Sequence, residues 1–331
     1  MLFYAGFIAC AAIIMFAGKK LTLYGDLLAE KTGIGRAFIG LFLMAAVTSL
    51  PELVVGISSV AVVNAPNLAT GDVLGSCAFN LMLLVIMDAF TNDDQPLLRK
   101  VSKTHILAAS LGIILLALVG FGIFLQQDII LTPFIGLNSL SFIVVYFLAL
   151  WLIYTHQRKL KTNDTTIQEN EVTISLGKIV SRYFLFGSII VVAALALPYF
   201  ANNIAESTGL DKSFVGTFLL AASTSLPEVS VSIAAVRQNA TDLAVGNVLG
   251  SNIFNVLILS IDDLFYTQGH LLKDSSDNHL ATVLSIMMMS AIVMIAIIYE
   301  TPKKRFGLSW ETLLILLVYI INLVLLLHLG D

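Results

Sequence analysis

Ten apolar runs dominate the chain, at roughly 2–18, 37–63, 68–90, 104–125, 131–154, 179–200, 213–236, 242–266, 280–299 and 308–329. Each is close to the ~20 residues that a helix needs to cross the hydrocarbon core of a bilayer. Only 12% of the 331 residues are charged and 58% are hydrophobic. A soluble domain carries about 25% charge, so this chain cannot cover itself with polar surface. The sequence predicts an all-α membrane protein of ten transmembrane helices. The first run is followed, not preceded, by its lysines Lys19 and Lys20, which reads as a retained span and not a cleaved leader. Cys10 and Cys77 lie in apolar runs and read as packing residues.

The connections test the count. Sixteen of the eighteen basic residues fall in alternate loops: Lys19, Lys20, Lys31, Arg36, Arg99, Lys100, Lys103, Arg158, Lys159, Lys161, Lys178, Arg182, Arg237, Lys303, Lys304 and Arg305. Lys212 and Lys273 are left for the other side. The positive-inside rule makes the rich set cytoplasmic and puts both termini outside, in a cell (inner) membrane. The net charge of −4 implies no partner, and no nucleic-acid site is expected.

Thr48-Ser49-Leu50-Pro51-Glu52 returns 176 positions later as Thr224-Ser225-Leu226-Pro227-Glu228. Residues 32–52 and 208–228 are identical at thirteen of twenty-one positions, and GDVLGSCAFN (71–80) recurs as GNVLGSNIFN (246–255). This is an internal duplication. It divides the chain into 1–155 with its motif at 32–80, a cytoplasmic linker at 156–178, and 179–331 with its motif at 208–255. Five spans is an odd number, so the second half enters the membrane inverted. Inverted repeats with interrupted helices place a substrate at the midplane of secondary transporters.

Proline lacks the N–H that would bond the carbonyl four residues back. Pro51 frees Val47 and Pro227 frees Ser223. Residues four apart share a helix face, which pairs Thr48 with Glu52, Thr224 with Glu228, Ser76 with Asn80, and Ser251 with Asn255. A midplane acid costs roughly 2.5–3.5 kcal/mol, and here there are two. A lone kink or a lone glutamate has a packing explanation; a duplicated set with matching partner helices points to a bound cation. Carboxylate, hydroxyl, amide and carbonyl oxygens suit Ca²⁺, Mg²⁺ or alkali ions over zinc or copper. Cys77 is read as off the Asn80 face. The glycine pairs Gly71/Gly75 and Gly246/Gly250 read as close helix packing. Asp88 and Asp263, each eight residues past its asparagine, read as interface carboxylates, and Asp72, Asp242, Asp274 and Asp277 as solvated ends. The five histidines fall at loops or span ends, so no catalytic dyad is expected and the chain is not read as an enzyme.

These motifs resemble the two alpha-repeats of the sodium/calcium exchangers, within the cation/calcium antiporter superfamily, and the likeness spans the whole chain. The resemblance implies Ca²⁺/Na⁺ antiport by alternating access, with both ions as substrates, no cofactor, and a monomer sufficient for transport in the lipid bilayer. It makes Glu52 and Glu228 the central ligands. It adds hydroxyl or carbonyl oxygens of Thr48, Ser49, Thr224 and Ser225, the carbonyls of Ala45 and Ala221, and the side chains of Ser76, Asn80, Ser251 and Asn255. Two departures stand out: Val47 and Ser223 replace the family's usual glycine, and Asn255 stands where many sodium-coupled members carry aspartate. With two acids in the site, the charge count predicts electroneutral exchange of two Na⁺ per Ca²⁺, or weak sodium dependence. H⁺ or K⁺ as the coupling ion is the alternative, and a channel is a more distant one.

Overall fold

The computed structural model describes residues 2–91, 94–126, 130–132, 135–163, 174–208, 224–301, 303–304 and 307–329. Apolar helices form because a chain in hydrocarbon must satisfy its backbone internally. Among the described residues, eight helices are long and apolar enough to cross a membrane. They are α1 (Leu2–Thr32), α4 (Pro66–Phe90), α5 (Thr104–Leu125), α6 (Leu137–Asn163), α7 (Leu176–Thr208), α9 (Thr241–Phe265), α10 (His279–Tyr299) and α11 (Trp310–Leu329). A ninth span is broken: α2 (Arg36–Thr48) meets α3 (Leu50–Ala61) at a 43° bend. α8 (Leu226–Arg237) starts inside the second TSLPE motif, with Ser225 as its N-cap. Residues 209–223, with Lys212, Ala221 and Ser223, lie outside the described residues, as do 164–173 of the linker.

Two boundaries differ from the apolar runs for a visible reason. α1 continues fourteen residues beyond the run that ends at 18, because nothing stops a helix at Lys19. It stops where Gly33 takes a positive φ of 65°, the left-handed cap that glycine adopts without strain. The run at 131–154 begins with a short antiparallel pair, Ile130–Thr132 with Ile135–Gly136, before α6 starts, a small exception to the all-α expectation.

Side chains on the outer helices face outward: Phe16, Phe121, Trp151, Leu185, Ile298 and Leu317 are all exposed, as lipid contacts require. α9 is the central element, with 83% of its apolar stretch buried, against 67% for α4 and 22% for α11. The α1–α7 pair closes one flank, where Tyr24 stacks on Phe186 at 5.8 Å and Arg182 donates to the Tyr24 hydroxyl at 2.8 Å.

Contacts between connections sort them onto two faces. At one, Gln238 reaches the Lys19 carbonyl at 3.3 Å, Asp242 accepts from Ser102 N–H at 2.6 Å and meets His105 at 3.0 Å, Lys304 pairs with Asp88 at 3.2 Å, and Gln157 abuts Gly35. At the other, Ser276 N–H donates to Asn67 at 2.5 Å and Gln126 to Asp277 at 3.0 Å. The first face gathers the loops rich in lysine and arginine; it is the basic face, and the second is the opposite face. Asp242 is therefore a loop anchor and not a solvated end.

The matched acids at the span ends anchor loops too. Asp88 is fully buried. It accepts from Leu97 N–H at 2.8 Å, Ser309 N–H at 2.9 Å and the Thr312 hydroxyl at 3.2 Å, beside Lys304. Asp263 accepts from Leu271 N–H at 2.7 Å and the Ser139 hydroxyl at 2.5 Å. Each ties its helix to the chain eight or nine residues on. Breaking a buried pair by removing one partner costs about 3 kcal/mol or more. Asp88→Asn is expected to lower the thermal unfolding midpoint in detergent clearly. An unchanged midpoint would refute the anchoring role.

Candidate functional site

Both TSLPE stretches break a helix in the same way. Ser49 leaves helical geometry at φ −90°, ψ 7°, and Ser225 at φ −85°, ψ 3°. α3 and α8 then start at Leu50 and Leu226, with Pro51 and Pro227 in the first turn. A proline there loses nothing, because the first N–H groups of a helix have no partner within it. Glu52 and Glu228 sit in those first turns, where the N-terminal end of the helix dipole favours negative charge. A widened π turn at Ile39–Met44 precedes the first break, a feature found often at functional sites.

The structure brings the two motifs together. Thr48, Ser49, Glu52, Ser76, Asn80, Thr224, Ser225, Glu228, Ser251, Asn255 and Ala45 are all buried. The contacts cross between the halves. Ser49 donates to Glu228 Oε1 at 3.1 Å, and Ser225 to Glu52 Oε1 at 3.5 Å. Ser251 also reaches Glu228 Oε1 at 3.5 Å, Ser76 lies 3.5 Å from Ser225, and Thr48 lies 3.4 Å from Ser251. Each motif thus holds the other's carboxylate.

Several polar atoms stay unsatisfied. Glu52 Oε2, Glu228 Oε2, Asn80 Oδ1 and both amide atoms of Asn255 are buried without a hydrogen-bond partner. Buried polar atoms of this kind cost about 1–3 kcal/mol each, more when charged. The donor set is hard oxygen throughout and carries two formal acids. A cation is the chemistry that such a set fits.

The Ala45 carbonyl accepts from Ser49 N–H at 3.0 Å and from the Thr48 hydroxyl at 3.2 Å. Three readings of the sequence are corrected here. Cys77 does share a side with Asn80, because both side chains meet Asn252: Asn80 Nδ2 donates to Asn252 Oδ1 at 3.1 Å, and the Cys77 thiol to the Asn252 carbonyl at 3.9 Å. The glycine pairs differ. Gly246 and Gly250 press on the backbone of α2, whereas Gly75 has open space where a side chain would start. Finally, Asp72 is not a solvated end, since its Oδ2 is buried without a partner; both side-chain oxygens of Asp262 are buried without one as well.

Three contributors went unread in the sequence. Asn252 orients Asn80 so that Oδ1 is left over. Asn247 accepts from Thr48 at 3.3 Å and donates to Ser232 at 3.2 Å. Asp262 is the third. All three are on α9 within two turns of Ser251 or Asn255, and that proximity on one helix was the available signal.

Comparison with known proteins gives the family and the fold. The family model for "Sodium/calcium exchanger protein" matches residues 2–155 and 180–328. The chain is 27% identical to the sodium/calcium exchanger MaX1 of Methanosarcina acetivorans, covering 91% of each. It is 26% identical to the inner membrane protein YrbG of Escherichia coli, over 78% of this chain and 81% of that one. Among solved structures, the sodium-calcium exchanger NCX_Mj soaked with 2.5 mM Na⁺ and 0.1 mM Ca²⁺ superposes with a TM-score of 0.74 at 20% identity, covering 98% of both chains. It shares the fold. The chain is an integral, multi-pass membrane protein, and it belongs to the sodium/calcium exchanger family, a family of exchangers and not of enzymes.

Proposed function

We propose that the protein is a secondary antiporter exchanging Ca²⁺ for Na⁺ by alternating access, with ten spans arranged as two inverted five-helix repeats. Glu52 and Glu228 are its central ligands. Hydroxyls of Thr48, Ser49, Thr224, Ser225, Ser76 and Ser251 and the amides of Asn80 and Asn255 complete the shell. The observation that carries this reading is the crossed pair of serine–glutamate contacts, with an unpaired Oε2 left on each glutamate. The crossing supports inversion, because a two-fold axis in the membrane plane exchanges Ser49 with Ser225 and Glu52 with Glu228. The shell is completed within one chain, so a monomer suffices. The names MaX1 and NCX_Mj carry, and the ions in the NCX_Mj soak, support Na⁺ and Ca²⁺ as the pair. The basic face is cytoplasmic by its charge.

Reconstituted vesicles loaded with Na⁺, with K⁺, or holding only a pH gradient test the proposal. ⁴⁵Ca²⁺ uptake is expected from the Na⁺-loaded set. Equal uptake without any opposing gradient would indicate a channel, and uptake driven by the pH gradient alone would make H⁺ the coupling ion.

A further inference from the structure

Two carboxylates lie outside the Glu52/Glu228 centre. Asp262, near the end of α9, is fully buried, and neither of its oxygens has a hydrogen-bond partner. It rests on Gly56: a Cβ placed there would sit 2.3 Å from Oδ2 and 2.6 Å from Oδ1. Gly56 is four residues past Glu52 on α3, so it shares the face of Glu52 one turn on. Asp72 is one turn before Ser76 on α4, and its Oδ2 is also buried and unpartnered. Asp72 approaches the centre through Ser76, which lies 3.5 Å from Ser225, the donor to Glu52. α3 ends, α4 begins and α9 ends at the opposite face. Both acids therefore lie between the centre and that face.

A structural role fits them poorly. Asp88 and Asp263 show what buried structural acids look like in this protein: each has backbone and hydroxyl donors within 3.2 Å. Asp262 has none. The repeat makes the contrast sharper. The positions aligned with Asp72, Gly56 and Asp262 are Asn247, Ser232 and Met87. Asn247 is neutral, and its amide is bonded on both sides, to Thr48 and to Ser232. The acids exist only on the way to the opposite face. A glycine on one side leaves the carboxylate room, where the other side has a serine that fills it.

We propose that Asp72 and Asp262 form an outer cation stage, which holds a hard cation in transit between the opposite face and Glu52. It supplies negative charge that Asn255 does not, and it makes loading sided. The stage rests on the antiporter reading for its purpose, but its ability to bind a cation does not.

The test uses the full-length protein and the variants Asp262→Asn, Asp72→Asn and both together. In vesicles of each orientation, the apparent KM for ⁴⁵Ca²⁺ offered from the opposite face is expected to rise about tenfold in Asp262→Asn, the order of effect of one charge pair at a few ångström in partly solvated protein. The KM from the basic face should change less than about twofold on the same scale. Unchanged values, or equal shifts from both faces, would overturn the stage. Asp72→Asn affects a half-buried side chain and keeps the test open should Asp262→Asn fold poorly. A second measurement separates this idea from the antiporter reading. In the Glu52→Gln/Glu228→Gln background, equilibrium binding of ⁴⁵Ca²⁺ to detergent-purified protein should persist weakly and be lost on adding Asp262→Asn. No residual binding, or binding indifferent to Asp262, sinks the stage whether or not the wild type exchanges ions.

Discussion

Glu52→Gln and Glu228→Gln should each abolish Ca²⁺ uptake while leaving folded protein in the membrane. The amide keeps the length of the side chain and an oxygen able to accept from Ser225 or Ser49, so the crossed contacts survive. What disappears is one negative charge beside the cation. At ~2.5 Å and an effective dielectric of ~20, one unit-charge interaction is worth several kcal/mol, and doubly so for a divalent ion. Losing even about 4 kcal/mol of it weakens binding roughly a thousandfold. Folding should not suffer, because each Oε2 is a buried acceptor with no partner, and neutralising it removes a desolvated charge. ⁴⁵Ca²⁺ uptake alongside a thermal midpoint in detergent separates the two effects. Near wild-type uptake in either variant would strike that residue from the site. A collapse in midpoint with lost uptake would make the glutamate a structural residue.

Much of this centre was legible in the sequence because the duplication supplies a control. A serine, a proline and a glutamate in an oily run are ambiguous once and informative twice, and the two breaks have dihedral angles within a few degrees of each other. The pairing of Asp88 with Asp263 was likewise readable from their equal spacing past Asn80 and Asn255, and both do sit at span ends. Spacing along one helix tells which residues share a face. It does not tell what stands across from that face. Asp262 is next to Asp263 in sequence but turns to Gly56 on α3, more than two hundred residues earlier. Asp72 differs from its sequence reading for the same reason: four residues from the start of the apolar run at 68 looks like water when the neighbouring helices are unknown. Cys77 and Asn80, three residues apart, are only about 60° apart on an ideal wheel, and both side chains meet one asparagine, Asn252.

The glycines give the other large effect, and they divide by repeat. Gly250→Ala is expected to destabilise the protein severely and to remove transport. A Cβ at Gly250 would stand 2.0 Å from the Leu41 carbonyl oxygen and 2.5 Å from its carbonyl carbon and Cα. These are backbone atoms, so no rotamer change can make room. α9 and α2 would have to part at their closest crossing. Packing of this sort is what drives helices together inside a membrane, where apolar burial no longer favours association. The next residue, Ser251, sits 3.4 Å from Thr48 and 3.5 Å from Glu228, so a displacement of α9 by an ångström also opens the site. Gly75 is the aligned position in the first repeat, and a Cβ there meets nothing within 4 Å. Gly75→Ala should be neutral or stabilising, since alanine exceeds glycine by about 1 kcal/mol in a helix. The pair of substitutions, compared by thermal midpoint, monodispersity and ⁴⁵Ca²⁺ uptake, tests the packing directly. Equal behaviour of the two variants would mean that the α9–α2 approach is not what holds Ser251 and Asn255 in place. A large loss at Gly250 with none at Gly75 would show that the two halves, alike in sequence, reach the site by different packing: α9 clamped on α2 backbone, α4 beside open space.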